Sequence, residues 1–194
     1  MPVPEICAAK IRSKYLSACI VSPKPRAWFM CGLPGSGKSS FIRLALERGE
    51  MPQTAFLMDP DGIMENIESY QKDFTMLGPD IAFGRWEMPA RSLAYEMLDE
   101  ARLNKFDLVI DMGHALPESR FIVDSLRVEG YETTMYFMNC PENICRERVA
   151  KRQRYLPPEL ITQRAETLKE NLVYFRDRLD RFVEIDGSKP QNRD

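Results

Sequence analysis

The chain has 194 residues, 44% of them hydrophobic and 29% charged, and its 27 basic and 29 acidic side chains give a formal net charge of −2. That length and apolar content suit one main domain whose core needs no disulfides, and the acidic balance excludes a general basic footprint for nucleic acid. Five cysteines without a CxxC pair, one histidine (His114), no apolar run of membrane-spanning length and no signal-like N-terminus lead us to expect a cytoplasmic chain with free thiols and no zinc site.

Residues 4–20 read as a helix stopped by the Pro-rich stretch 22–26, so residues 1–25 are expected to form an N-terminal helical appendage with its linker and residues 26–194 the main domain. The apolar run 26–31 predicts a strand leading into a helix over 37–48. A second strand over 54–59 leads into a short helix near 62–70, with Ile63, Ile67 and Tyr70 on one face. Residues 71–92 are the least patterned part of the domain. Over 88–103, Ala90, Leu93, Ala94, Met97, Leu98 and Ala101 follow the i, i+3, i+4, i+7 spacing of an amphipathic helix. A strand over 106–112, a helix over 117–129, a strand over 133–140 and a helix opened by Pro141 come next. A long helix near 158–180 and a strand over 181–186 close the pattern. Five strands alternating with helices predict an α/β fold, a mostly parallel five-stranded sheet sandwiched by helices.

One motif makes this a P-loop NTPase or kinase fold. Gly32-Leu33-Pro34-Gly35-Ser36-Gly37-Lys38-Ser39 matches GxxxxGK[ST] between a predicted strand and a predicted helix. Glycines let the backbone wrap a phosphate chain with its N–H groups inward, and the helix N-terminus adds positive potential. Lys38 is the phosphate contact, Ser39 offers a hard oxygen to Mg²⁺, and Ser40 completes the nucleotide-binding set.

Ligands of open α/β sheets gather at the carboxyl ends of the strands. Asp59 and Asp61 follow one such end, next to the P-loop strand; Asp111 and His114 follow another. Asp59 is the candidate base for an acceptor hydroxyl, with helix capping as its alternative; Asp61 is balanced between the two roles. Asp111 reads as a metal or water organiser, and His114 as an acceptor-site hydrogen-bonder or a satisfied turn residue. In the unpatterned stretch, Phe83, Arg85, Trp86, Glu87 and Arg91 combine stacking and charge, as an acceptor site would, although packing is an equal reading for Trp86. Arg148, Arg152 and Arg154 surround a turn broken at Pro157-Pro158 and read as cations on a closing lid. The string Asn104-Lys105-Phe106-Asp107 fits a guanine-reading NKxD, but it follows a helix and leads into a strand, so it reads as a helix C-terminus.

The P-loop, the aspartate-bearing second strand over 56–63, the acidic end of the third strand and the Arg-rich segment 146–159 together resemble the zeta-toxin family of P-loop kinases, related to chloramphenicol phosphotransferase. The resemblance spans about residues 26–186. It implies ATP and Mg²⁺, phosphorylation of a small-molecule hydroxyl, and an antitoxin or regulatory protein as a partner to look for. By position it makes Lys38 the phosphate binder, Asp59 the base, and Arg148 and Arg154 the lid arginines. The family's best-known acceptor is UDP-N-acetylglucosamine, yet the Arg and His-Pro usual after the second-strand aspartate are missing here, and Asp111-Met112-Gly113-His114 replaces the usual Glu-Gly-Thr. A nucleotide-dependent switch and a nucleic-acid 5′-hydroxyl kinase are the rival readings.

Overall fold

Parallel pairing follows from the alternation of strands and helices, because each crossover helix returns the chain to the same end of the sheet. The computed structural model describes residues 2–151, 156–157 and 159–189. Its elements are α1 (Glu5–Leu16), β1 (Arg26–Cys31), α2 (Lys38–Glu47), β2 (Phe56–Met58), α3 (Pro60–Glu65), α4 (Glu68–Leu77), α5 (Pro79–Leu103), β3 (Leu108–Gly113), α6 (Ser119–Val128), β4 (Glu132–Asn139), α7 (Glu142–Ala150), α8 (Glu159–Arg176) and β5 (Arg181–Asp186). The five strands form one sheet in the order β2-β3-β1-β4-β5, and every neighbouring pair is parallel. The order corrects one expectation: β3, not β2, lies beside the P-loop strand.

Both faces of β1 are covered, so its run Ala27–Cys31 is buried throughout. Phe29 and Cys31 face one side, into a core with Phe56, Leu93, Met97, Ile110, Met135 and Phe175. Trp28 and Met30 face the other, against Ile42, Met51, Val109 and Met138.

The stretch expected to lack pattern is helical. Gly78, with φ +95°, separates α4 from α5, and Pro79 opens α5 at a position where its missing N–H costs nothing. Pro89 lies inside this 25-residue helix. Ala82, Phe83, Trp86, Ala90 and Leu93 are buried at helical spacing on either side of it, and this packing outweighs the local proline penalty.

The N-terminal helix shares the core of the rest. Ile11 is buried in the main cluster, Arg12 pairs with Glu96 (2.5 Å) and Glu100 (3.0 Å) of α5, and Lys14 Nζ donates to Asn66 Oδ1 at 2.6 Å. Among the described residues no helix is long and apolar enough to cross a membrane. All five cysteines are free.

Candidate active site

The loop leaving β1 enters α2 at Lys38 with Gly37 as N-cap and no side-chain cap. The first backbone N–H groups of α2 thus have no capping side chain competing with a bound anion. Gly35 has φ +86°, and a Cβ there would lie 2.5 Å from the carbonyl oxygen of Cys145, so only glycine fits. Lys38 Nζ folds back over the loop and donates to the carbonyls of Gly32 (2.9 Å) and Leu33 (3.0 Å). Ser39 Oγ donates to Asp111 Oδ2 at 3.0 Å.

These groups line a cleft of about 270 Å³. The P-loop forms one wall through Gly32, Pro34, Gly35, Gly37, Lys38 and Ser39; Asp59, Asp61 and Glu65 at α3 form a second. Phe83, Glu87 and Arg91, four residues apart on one face of α5, form a third, and Asp111, Met112, Gly113, Ala115 and Leu116 follow the end of β3. Pro60, Gly62, Leu156 and Arg164 complete the lining.

Asp59 both faces the cleft and caps α3, its Oδ1 accepting from the Gly62 N–H at 3.0 Å. Tyr15 of α1 comes close behind it: a Cβ at Gly62 would lie 2.5 Å from Asp59 Oδ2 and 3.1 Å from the Tyr15 hydroxyl. Burial, with the charges of Asp59 and Glu65 adding to it, pushes the Tyr15 phenol up to about 12. Asp111 lies within β3, paired in register with Met30 of β1. Asp61 lines the cleft, as does Glu87, which pairs with Arg91 at 3.1 Å.

Other expected site residues lie elsewhere. His114 is fully buried, its ring edge-on to Phe29 (centroids 5.3 Å) and Phe175 (6.1 Å), so it packs in the core and is not among the residues lining the cleft. Burial pushes its pKa down to about 4, with Lys38 adding to the effect and the Ile110 carbonyl opposing it. Its own carbonyl and that of Leu116 accept from Asn171 Nδ2, each at 3.0 Å. Trp86 is a core residue whose Nε1 donates to Asp73 Oδ2 at 2.8 Å; Arg85 pairs with the same carboxylate at 3.3 Å, outside the cleft. Within the P-loop, Leu33 and Ser36 are buried, and Ser40 is exposed on α2.

Arg148 lies behind the P-loop and not on the cleft wall: its guanidinium donates to the carbonyls of Gly35, Gly187 and Ser188. Arg152 and Arg154 lie outside the described residues. Sequence reasoning missed Arg164, Glu65 and Tyr15. Arg164 carried one usable signal: it stands between Ile161 and Leu168 of the buried α8 stripe, at the border of the face that meets the core.

Among solved structures, the fold is similar to that in the PezAT chromosomal toxin–antitoxin system of Streptococcus pneumoniae (13% identity, 95% of this chain and 78% of that chain, TM-score 0.72). It is similar to AvrRxo1-ORF1:-ORF2 with ATP (14% identity, 90% of this chain, TM-score 0.66), of whose matched chain it spans 57%. Shikimate kinase from Bacteroides thetaiotaomicron shares it too (16% identity, 87% and 90% covered, TM-score 0.51). At these identities the likeness is one of fold, that of P-loop kinases. No curated protein matches the sequence. The family model for Zeta toxin matches residues 12–187. That match runs from within α1 to the turn after β5 and takes in the whole sheet, the P-loop and every wall of the cleft, so the chain belongs to the zeta toxin family.

Proposed function

We propose that this protein is a kinase that transfers the γ-phosphoryl group of ATP to a hydroxyl of a small molecule, with Mg²⁺ as its metal. Family membership and the P-loop kinase fold support a kinase-type phosphotransferase. The observation that carries the finer reading is that Lys38 and Asp59, supplied by two different strand ends, line one cleft.

In this reading the loop amides and Lys38 hold the β- and γ-phosphates, for which Lys38 exchanges the Gly32 and Leu33 carbonyls. Ser39 Oγ and Asp111 are hard oxygens already within 3.0 Å of each other, a donor set that fits Mg²⁺. Phosphate oxygens and water would complete the shell. When bound, Mg²⁺ neutralises charge on the phosphates. Asp59 orients the acceptor hydroxyl and accepts its proton late in the transfer. Arg164 adds a cation to the cleft, and Arg152 and Arg154 are proposed as the lid cations.

The acceptor faces α3 and α5, through Asp61, Glu65, Phe83, Glu87 and Arg91; a nucleotide sugar is one compound class to test. The PezAT and AvrRxo1 relatives are two-component systems, which supports an antitoxin-like protein as partner. The test is ADP formation from Mg·ATP with and without a small-molecule extract, with mass spectrometry for a product heavier by one phosphoryl group. Extract-dependent ADP and such a product support the kinase. Phosphate release at the same rate without extract would make the chain a hydrolysing switch.

A further inference from the structure

The outer turn of the P-loop is held from behind. A Cβ at Gly35 would meet the Cys145 carbonyl, and one at Gly187 would meet the Ser36 carbonyl at 2.7 Å. The loop apex therefore lies between α7 and the turn after β5, each at the closest approach a backbone allows. Carbonyl oxygens of Gly35, Gly187 and Ser188 converge at this junction, and such oxygens need donors once water is excluded.

Arg148, in the last turn of α7, supplies them. Its Nη1 donates to Gly35 O at 3.2 Å and Gly187 O at 2.7 Å, and its Nη2 donates to Ser188 O at 2.7 Å. All three are backbone carbonyls, drawn from two separate segments. A planar fork of N–H groups can bridge them in a way a lysine ammonium cannot reproduce.

The Gly35–Ser36 peptide is tied at both ends. Arg148 holds its C=O, and its N–H donates to Leu33 O at 3.1 Å. A trans peptide is rigid, so fixing the carbonyl also fixes the direction of the N–H. Leu33 O is the same oxygen that accepts from Lys38 Nζ. A short relay thus runs from Arg148 through one peptide plane to the carbonyl on which Lys38 rests.

We propose that Arg148 is a positioning residue for the nucleotide site: it locks the Gly35–Ser36 peptide and the turn after β5 into one arrangement, and so presents the P-loop amides and Lys38 ready for phosphate. The proposal rests on the P-loop being a nucleotide site. It differs from a lid role, which would act on turnover and leave a product lacking the γ-phosphate bound as before.

The experiment titrates Mg·ADP calorimetrically into wild type, Arg148→Met, Arg148→Lys and Lys38→Ala, and follows exchange of the Ser36 amide by NMR. We expect Arg148→Met to weaken Mg·ADP on the order of 10-fold or more, from the loss of charged hydrogen bonds, with faster Ser36 exchange and Arg148→Lys in between. Wild-type affinity and wild-type Ser36 exchange in Arg148→Met overturn the proposal. Should Arg148→Met fail to fold, the same two readings on Arg148→Lys decide it. If the wild type itself binds no Mg·ADP, the nucleotide reading fails, and Ser36 exchange in Arg148→Lys still decides whether the peptide is locked.

Discussion

Ser39 Oγ and Asp111 Oδ2 stand 3.0 Å apart, joining the first turn of α2 to the strand beside the P-loop strand. Because β3 pairs directly with β1, Asp111 reaches the P-loop serine without any intervening element. We expect Ser39→Ala and Asp111→Asn each to weaken ATP about 10-fold or more when Mg²⁺ is present, and to change little in a chelator. Nucleotide titrations at several Mg²⁺ concentrations check this. Equal losses with and without Mg²⁺ would show the pair to be structural.

Asp59 caps α3 and is proposed as the base, and two substitutions separate these roles. Asparagine caps helices as well as aspartate does, so Asp59→Asn should keep the wild-type melting temperature and lose most turnover with ATP still bound. Asp59→Ala should lose the cap as well, at a cost of about 1 kcal/mol. Thermal melts beside extract-dependent ADP formation read both effects. If Asp59→Asn turns over within a few-fold of wild type, Asp59 only caps α3.

Lys38 rests on two loop carbonyls at the wall of the cleft. Lys38→Ala should therefore melt like wild type while phosphoryl transfer falls on the order of 10²-fold or more. A folded Lys38→Ala with near wild-type turnover would move the phosphate site away from the P-loop.

His114 ties stability to acid. Its folded pKa of about 4 lies below the ordinary value of 6.5, so between these two values the unfolded chain binds the proton and the folded chain does not. The stabilisation from burying the neutral ring is complete above about pH 6.5 and is lost as pH falls toward 4, a change of about 3 kcal/mol. His114 has φ +53°, which asparagine tolerates, so His114→Asn removes the titration without forcing the backbone. Denaturant unfolding at several pH values should show a shallower acid slope for the variant. Parallel slopes would assign the acid sensitivity to the carboxylates.

What was legible in the sequence is what burial writes locally. The strands over 26–31 and 181–186 carry the predicted boundaries: one is buried and apolar from Ala27 to Cys31, and the other begins after the short turn that follows α8. Asn104 also ends α5 as read, its Nδ2 donating to Glu100 O at 2.8 Å. Strand order was not legible, since an apolar run records that a strand is covered and not which strand lies beside it. Trp86 and His114 looked available for a ligand because their partners, Asp73 in one case and Phe29 with Phe175 in the other, come from distant elements. Arg148 was misplaced for a related reason. Three of its acceptors are main-chain carbonyls, with Cys140 Sγ at 3.7 Å the fourth, and no pattern of side chains encodes carbonyls.

The position of each strand in the sheet has a consequence for how the two halves of the cleft respond to change. β1 is bonded on both sides, by β3 and β4, so its amides are expected to be among the slowest to open. β2 has three residues and lies at the edge, bonded only to β3. The P-loop half of the cleft is therefore anchored to the central strand of the sheet, and Asp59, proposed as the carboxylate that meets the acceptor, follows a short edge strand. Hydrogen exchange should be slow through Phe29 and Met30 and fast around Leu57. On the proposed reading, substitutions at the cleft-lining, non-core positions Asp61 and Glu65 alter which hydroxyl is accepted while the P-loop's hold on the phosphates stays as it was.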